Sequence, residues 1–366
     1  MKSNPTIMFI AGEASGDTNA AAVIQALKSR APELEVFGTG GPQMRAAGME
    51  LLFDLTEHAV VGLVEVLKNY GKFKRFFNQL LAEVGRRQPR AVVLVDFPGF
   101  NLRFAKAVKR RYPQTKIIYY ISPQLWAWHA SRAKQIERDV DLLLTIFPFE
   151  KAWYAPRAPK LRVAFIGHPF VDQFKRPGVR SPKLVVLLPG SREREVAKIW
   201  PVLEGVVNKL PDVKFVAAAV DERTAAMMRH PRVRVEVGKA RELMRQATLA
   251  ITASGTATME CAFAGCPMLV VYKVNWLTYL IGRALVKVQW LAMPNVIAGK
   301  AIVPEFIQHQ ARSGRVAAAA RRLLQTTGEC KTMQRELAAV VASLGGPGSS
   351  DRAAQLILTE ILVRSR

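Results

Sequence analysis

Residues 251–270, ITASGTATMECAFAGCPMLV, decide the fold. Leu249, Ala250 and Ile251 end an apolar run that suits a buried strand, and Ser254-Gly255-Thr256 breaks it with three small residues. From Ala257 the pattern turns helical through Met259, Cys261, Ala262 and Phe263, until Gly265 stops it and Pro267 opens a second strand. A helix that begins on such a turn offers unpaired N–H groups and a positive dipole end to an anion. The dipole contributes only ~0.3–1 kcal/mol when exposed and up to ~2 when partly buried, so it places a phosphate more than it holds one. Glu260, one turn in, is set to accept from two neighbouring sugar hydroxyls. The alternative is an N-capped βα unit with a surface glutamate, and the stretch alone leaves both readings open.

The same grammar runs through the chain. Strands are expected at 6–11, 35–38, 91–96, 116–121, 141–147 and 162–166, then at 184–188, 213–220, 233–237, 249–251 and 268–272. Helical periodicity fills segments between them, such as 20–29, 102–111 and 193–209. Alternation of this kind means α/β units with largely parallel sheets. The Pro- and charge-rich run 172–182, DQFKRPGVRSP, marks a break, and 345–350, GGPGSS, marks a second before an amphipathic segment at 351–363. The expected domains are therefore 1–171 and 172–345, with 346–366 as a separate last helix. The length of 366 residues suits two domains, each large enough to bury a core.

Composition narrows the class. Half the residues are apolar and mean hydropathy is close to zero, as in a globular protein. No uncharged apolar run reaches the ~18 residues that a spanning helix needs. The first residues are too brief and too acidic for a signal peptide. Cys261, Cys266 and Cys330 make no disulfide framework and have no metal-ligand spacing, so core packing and a reducing cytoplasm are expected, with no metal and no cofactor. The net charge of +24 attracts polyanions. Between residues 97 and 136 there are eight Lys or Arg and no carboxylate, so the charge is concentrated.

Two further turns resemble the first. AGEASGD, 11–17, lacks the G-x-G-x-x-G dinucleotide pattern but sets Glu13, Ser15 and Asp17 at a strand's carboxyl end, where open α/β sheets bind ligands. LLPGSRE, 187–193, sets Arg192 at a helix start, so a guanidinium and a dipole would address one anion. With Ser254, Gly255, Thr256 and Thr258 this makes two phosphate-directed turns in one domain, the pattern for a nucleoside diphosphate carrying a sugar. AVVLVDFPGF, 91–100, ends a buried strand on Asp96, a position suited to general-base work or to capping the next helix. Trp126 and Trp128 in 121–132 would stack on a ligand or pack at a domain contact. Asp139-Val140-Asp141 precedes a strand rather than following one, which excludes a metal–nucleotide role. His168 in FIGHP is the best functional candidate among the histidines. Finally, 60–77, VVGLVEVLKNYGKFKRFF, interleaves Leu63, Val66, Leu67, Tyr70, Phe73, Phe76 and Phe77 with Lys68, Lys72, Lys74 and Arg75. That mixture suits an interfacial helix on an anionic membrane, at ~1 kcal/mol per cation, against the alternative of a core helix with a charged outer face.

Taken together, AGEASGD, GGPQM (40–44), VGLVEVL (61–67), VDFPGFN (95–101), SPQLWAW (122–128), PFEK (148–151), FIGHP, LLPGSRE, SGTATMECAFAGCPM and MPNVIAG (293–299) resemble the lipid-A-disaccharide synthase family, in family order. The resemblance implies a GT-B fold, two Rossmann-like domains facing a central cleft, and an inverting glycosyltransferase. It implies UDP-2,3-diacylglucosamine as donor, 2,3-diacylglucosamine 1-phosphate as acceptor and a β-1,6-linked disaccharide 1-phosphate plus UDP as products. It also implies a peripheral enzyme on the cytoplasmic face of the inner membrane, able to form dimers, with the last helix packed back on the first domain. Asp96 matches the suggested base for the acceptor 6-hydroxyl, Glu13, Ser15 and Asp17 match the active-site loop, and Arg192 and Asn295 match positions implicated in UDP handling. The chain departs from the family at Gly99, where a second carboxylate is usual, at 18–21, where a glycine is usual, and at His129, where an arginine is usual. Other classes remain to be set against this one: a related transferase or UDP-sugar epimerase, a membrane adaptor, and a nucleic-acid binder. The last lacks any binding motif, and its aromatics cluster with aliphatics, so no nucleic-acid partner is expected.

Overall fold

The computed structural model describes residues 5–55, 70–174, 180–285 and 288–362. The chain forms two units, residues 1–169 together with 345–366, and residues 170–344. In the first, β1 (Thr6–Ala11), β2 (Glu35–Gly40), β3 (Glu50–Asp54), β4 (Ala91–Val95), β5 (Lys116–Tyr120), β6 (Leu142–Thr145) and β7 (Arg162–Phe165) form one sheet in the order β3-β2-β1-β4-β5-β6-β7. Every pairing in it is parallel. In the second, β8 (Leu184–Leu188), β9 (Lys214–Ala219), β10 (Val233–Val237), β11 (Leu249–Ala253), β12 (Met268–Tyr272) and β13 (Glu305–Ile307) follow the order β10-β9-β8-β11-β12-β13, again all parallel. Parallel sheets are covered by helices on both faces, so their central strands are apolar without alternation. The fully buried AVVLV of β4 and LAITA of β11 show this directly.

Strand order fixes where ligands go. In an open α/β sheet they bind outside the carboxyl ends of the strands, at the point where the order reverses. In the first sheet that point lies between β1 and β4, so the turn after β1 (Gly12, Glu13) stands beside the turn after β4 (Asp96, Phe97). The approach is close: a Cβ on Gly12 would lie 2.4 Å from the Phe97 ring. In the second sheet the reversal lies between β8 and β11, which brings the turn at Gly190 beside the turn at Gly255.

The helix Tyr70–Arg87 corrects part of the membrane reading. Leu80 and Val84 are buried, and Phe73 and Phe77 pack half-buried against the same core. Phe77 meets Phe100 and Phe104 edge-on at 5.5 and 5.2 Å, and Phe76 stacks on Phe53 of β3 at 4.5 Å. Strand β3 is an edge strand with a half-buried apolar face, and the Phe76 ring covers Phe53 on it. Lys74 and Arg75 are exposed. Leu63, Val66, Leu67 and Lys68 lie outside the described residues, as do the side chains of Tyr70 and Lys72.

The helix Ser349–Leu362 packs on the first unit's helix Ala14–Arg30. Arg30 pairs with Asp351 at 3.1 Å, and the nearly buried Glu360 takes Arg162 at 2.5 Å and Lys116 at 3.8 Å. Arg352 Nε donates to the Ile166 carbonyl at 2.8 Å. Asp139 and Asp141, set aside above as ligands, pair with Arg138 and Lys109.

Candidate active site

At the first unit's switch point Asp96 and Phe97 both adopt the left-handed conformation, φ 45° and 48°. Two adjacent non-glycine residues there store strain, of order 1–3 kcal/mol each, and hold it only if neighbours impose it. They do: the Asp96 carbonyl accepts from Asn101 Nδ2 at 2.8 Å and from the Tyr119 hydroxyl at 2.6 Å, while Asp96 N donates to the Tyr120 carbonyl at 3.0 Å. The main chain is tied on three sides and the carboxyl is turned off the strand. Loss of water, then the charge of Glu13, lifts that carboxyl to about 6, against a smaller opposing contribution from the Phe97 amide. It is a base at neutral pH and an acid only slightly below it. Glu13 and Ser15 are exposed beside it at the start of the helix Ala14–Arg30.

Asp17 behaves differently. It is buried, with Oδ1 accepting from the amides of Gly41 and Met44 at 2.9 and 3.0 Å and Oδ2 from Gln43 at 3.0 Å. It caps the helix Pro42–Ala46 and holds the turn at Gly41 that precedes it, so its oxygens are committed inside the fold. His168 is also buried, tilted against Phe147 at 5.5 Å, and burial pushes it down to about 4. Its imidazole is therefore favoured in the neutral form near pH 7.

Sequence reasoning passed over Glu150. It is fully buried at the third position of the helix Pro148–Tyr154, accepting from the Phe147 amide at 3.1 Å and from Trp126 Nε1 at 3.2 Å. A glutamate three residues after a helix's first boundary residue is the usual capping signal, and FPFE carries it. What the sequence lacked was the second partner, which comes from another element.

In the second unit Gly255 has φ 144° and ψ −155°, accessible only without a Cβ, and nothing lies within 4 Å of where one would stand. The backbone is thus open to a ligand at the start of the helix Thr256–Phe263, where Thr256 is exposed. Ser254 Oγ donates to the Leu291 carbonyl at 3.1 Å. Thr258 is withdrawn: it is fully buried and its hydroxyl donates to the Gly255 carbonyl at 2.8 Å. Glu260 is paired through Oε1 with Arg241 Nε at 2.9 Å, which leaves Oε2 outside that pair. The Arg241 guanidinium in turn lies over Phe170 and Phe174, 5.4 and 4.7 Å from the ring centres.

The turn after β8 is only half as expected. Glu195 Oε2 accepts from Ser191 N at 3.1 Å, so the chain's own carboxylate already sits at the start of the helix Glu193–Lys209. Arg192 is exposed, 3.7 Å from Glu195 Oε1, and carries the cationic character of that turn. Asn295 is turned into the fold. It is fully buried, donating from Nδ2 to the Val303 carbonyl and Glu305 Oε1 at 2.9 and 2.8 Å, and accepting at Oδ1 from Ile302 and Val303 at 2.8 and 2.9 Å. Both polar atoms of its side chain fasten the helix Met293–Ala298 to residues 302–305, which lead into β13. Glu305, unnoticed in the sequence, also accepts from the Leu291 and Ala292 amides at 3.0 Å.

Two doubly wound parallel sheets, each with a turn site at its switch point, define the class as the GT-B glycosyltransferases and the epimerases that share their fold. Solved structures agree with that architecture: calicheamicin glycosyltransferase CalG4 superposes with TM-score 0.61 at 15% identity over 100% of both chains. The UDP-GlcNAc 2-epimerase from Neisseria meningitidis, bound to UDP-GlcNAc, gives 0.63 at 12% identity over 98% of this chain and 100% of that one. At such identities the likeness is one of fold. The family model for lipid-A-disaccharide synthetase matches residues 7–359. The lipid-A-disaccharide synthase of Geobacter sulfurreducens is 37% identical, covering 96% of each chain, and that of Nitrosococcus oceani is 38% identical, covering 94% of this chain and 93% of the other. The chain belongs to the lipid-A-disaccharide synthase family, and it is a glycosyltransferase of lipid A disaccharide synthesis. Among the described residues no helix is long and apolar enough to cross a membrane.

Proposed function

We propose that the protein transfers the glucosaminyl unit of UDP-2,3-diacylglucosamine to the 6-hydroxyl of 2,3-diacylglucosamine 1-phosphate, with inversion, giving the β-1,6-linked disaccharide 1-phosphate and UDP. The observation that carries this reading is the Asp96 turn: a carboxylate held in a strained, tied backbone at a sheet's switch point, with its proton affinity raised to about 6. As the acceptor oxygen bonds to the anomeric carbon, its proton passes to Asp96. The bond from that carbon to the β-phosphate oxygen breaks, and its electron pair leaves with UDP.

The second unit handles the leaving group. The open turn at Gly255 and the amides opening the next helix meet the diphosphate, Arg192 adds charge, and the Glu260 carboxylate accepts from the ribose hydroxyls. Thr258 holds the Gly255 carbonyl from behind, Asn295 braces the helix Met293–Ala298, and in the first unit Asp17 holds the turn at 41–44. Glu13 keeps Asp96 basic through its charge. The basic surface, with Lys74 and Arg75 exposed, supports a peripheral position on the anionic cytoplasmic leaflet, where both lipid substrates reside. Homodimers belong to the same proposal by family likeness alone.

The test is UDP release with the lipid acceptor present and absent. The proposed enzyme releases UDP only with acceptor, whereas an epimerase converts the sugar without it. Asp96→Asn should lower turnover by ~10²–10⁴ with donor binding intact. In the wild type, kcat/KM should fall as pH drops through about 6, because the ionised form is the working one and protonation removes it. Near-normal turnover in Asp96→Asn removes Asp96 from the role.

A further inference from the structure

We propose that Glu150 is a positioning residue for the acceptor: it fixes Trp126 so that the segment from Ile121 to His129 presents Trp128 as a stacking surface beyond the carboxyl end of β5, the strand beside the one that ends at Asp96. This rests on the reading of Asp96 given above. The segment leaves the carboxyl end of β5, the neighbour of β4, and the two ends are laced together through Asp96 N and the Tyr120 carbonyl. It is then caught twice by one helix, Pro148–Tyr154. Near its start Ser122 Oγ and the Tyr154 hydroxyl lie 3.1 Å apart, and four residues on Trp126 Nε1 donates to Glu150 Oε1. Phe147 and Phe149 stand edge-on to the Trp126 ring at 6.4 and 5.2 Å, so the indole is fixed by its edges as well as by its N–H.

Trp128, two residues further on, has none of that cover. It is 44% exposed, with His129 against it at 4.6 Å in a left-handed turn of φ 56°. A large apolar ring left this exposed, with one neighbouring ring against it, suits the C–H face of a pyranose. Glu150 is a costly way to make this anchor unless its state matters. The groups that face it are the Ser122 and Trp126 side chains, the Phe147 and Ile146 amides and Tyr154, whose phenol burial pushes up; His168 stands across the Phe147 ring and is neutral. No lysine or arginine is among the described groups that shift it. Burial lifts its carboxyl to about 8, over the opposing hydrogen bonds from Phe147, Trp126 and Ser122. The neutral acid keeps an oxygen toward each donor and a proton of its own, whereas the ion would call water into a dry site.

The experiment measures UDP release with acceptor varied at saturating donor and donor varied at saturating acceptor, over pH 6–9. Trp128→Ala, an exposed change that leaves the core alone, should raise KM for the acceptor about 10-fold and leave KM for the donor unchanged. Glu150→Gln cannot accept from both donors, and Trp126→Phe removes one of them; each should raise the acceptor KM about 3–10-fold, and the double variant should be no worse than either. In the wild type kcat/KM for the acceptor should decline above pH 8 as Glu150 ionises, and Glu150→Gln should show no such decline, because an amide does not titrate. An unchanged acceptor KM in Trp128→Ala overturns the proposal, as does additive loss in the double variant or an alkaline decline that persists in Glu150→Gln. If the wild type releases no UDP with any lipid acceptor, the underlying reading of Asp96 fails first and takes this one with it.

Discussion

Replacing Asn295 by alanine separates a residue that binds UDP from one that builds the site. The side chain makes four hydrogen bonds in a fully buried setting, two donated by Nδ2 and two accepted by Oδ1. At about 1 kcal/mol net for each, their loss costs about 4 kcal/mol, because the buried Val303 amide and the part-buried Ile302 amide are left without acceptors. That is at the upper end of single-substitution effects. The second unit's urea transition, followed by circular dichroism, should move down by about 2 M for a slope near 2 kcal/mol per M. Asn295→Asp should be at least as damaging, since it removes both donors and sets a second carboxylate against Glu305. UDP affinity, measured by calorimetry below the transition, should stay within a few-fold of the wild type. A variant with an unmoved urea midpoint and UDP binding weakened more than about 10-fold would refute this, and return Asn295 to the ligand set.

Asp17→Ala should lower the first unit's stability by about 3 kcal/mol, as three amides lose their acceptor, and proteolysis should begin near the 40–46 turn while UDP affinity is unchanged. Glu260→Ala should weaken UDP about 10–100-fold in calorimetry with no matching loss of stability, the worth of hydrogen bonds to a charged group; unaltered affinity would exclude the ribose role. Changing Phe73, Phe76 and Phe77 to serine should destabilise the first unit by about 1–2 kcal/mol per ring, read as faster proteolysis. A triple variant that keeps full protease resistance but no longer floats with anionic vesicles would make those rings a lipid surface after all.

The fold was legible because strands buried on both faces are written as unbroken apolar runs closed by small-residue turns. The strands at 6–11, 184–188, 233–237 and 268–272 match β1, β8, β10 and β12 residue for residue. The two strands that periodicity missed are edges: ELLFD of β3 is half-buried and flanked by acids, and β13 is three residues long. Neither has enough buried length to stand out from a loop. Within the site, positions were readable and contacts were not. Asp17, Thr258 and Asn295 have the right residue type at the right turn, yet their polar atoms point back into the fold, and whether an oxygen faces a ligand or a neighbouring amide depends on chain many residues away. Glu195 capping its own turn was equally invisible, since a carboxylate at a helix start reads the same whether or not it displaces an anion. For Phe73, Phe76 and Phe77, the pattern of a membrane face and that of a face packed on the fold are identical until the neighbouring strand and helix are known.

The helix Ser349–Leu362 has a consequence for how the protein is made. The first unit takes its opening 169 residues from the start of the sequence and its last helix from far beyond the second unit. While a ribosome is still translating residues 170–344, the β1–β7 sheet lacks the helix that covers Ala14–Arg30, and Glu360 has not yet reached Arg162 and Lys116. The second unit, continuous in sequence, is free to finish first. The first unit is thus completed only when residue 362 has emerged, so an interrupted translation product would hold a folded second unit joined to an uncovered, unfinished first one.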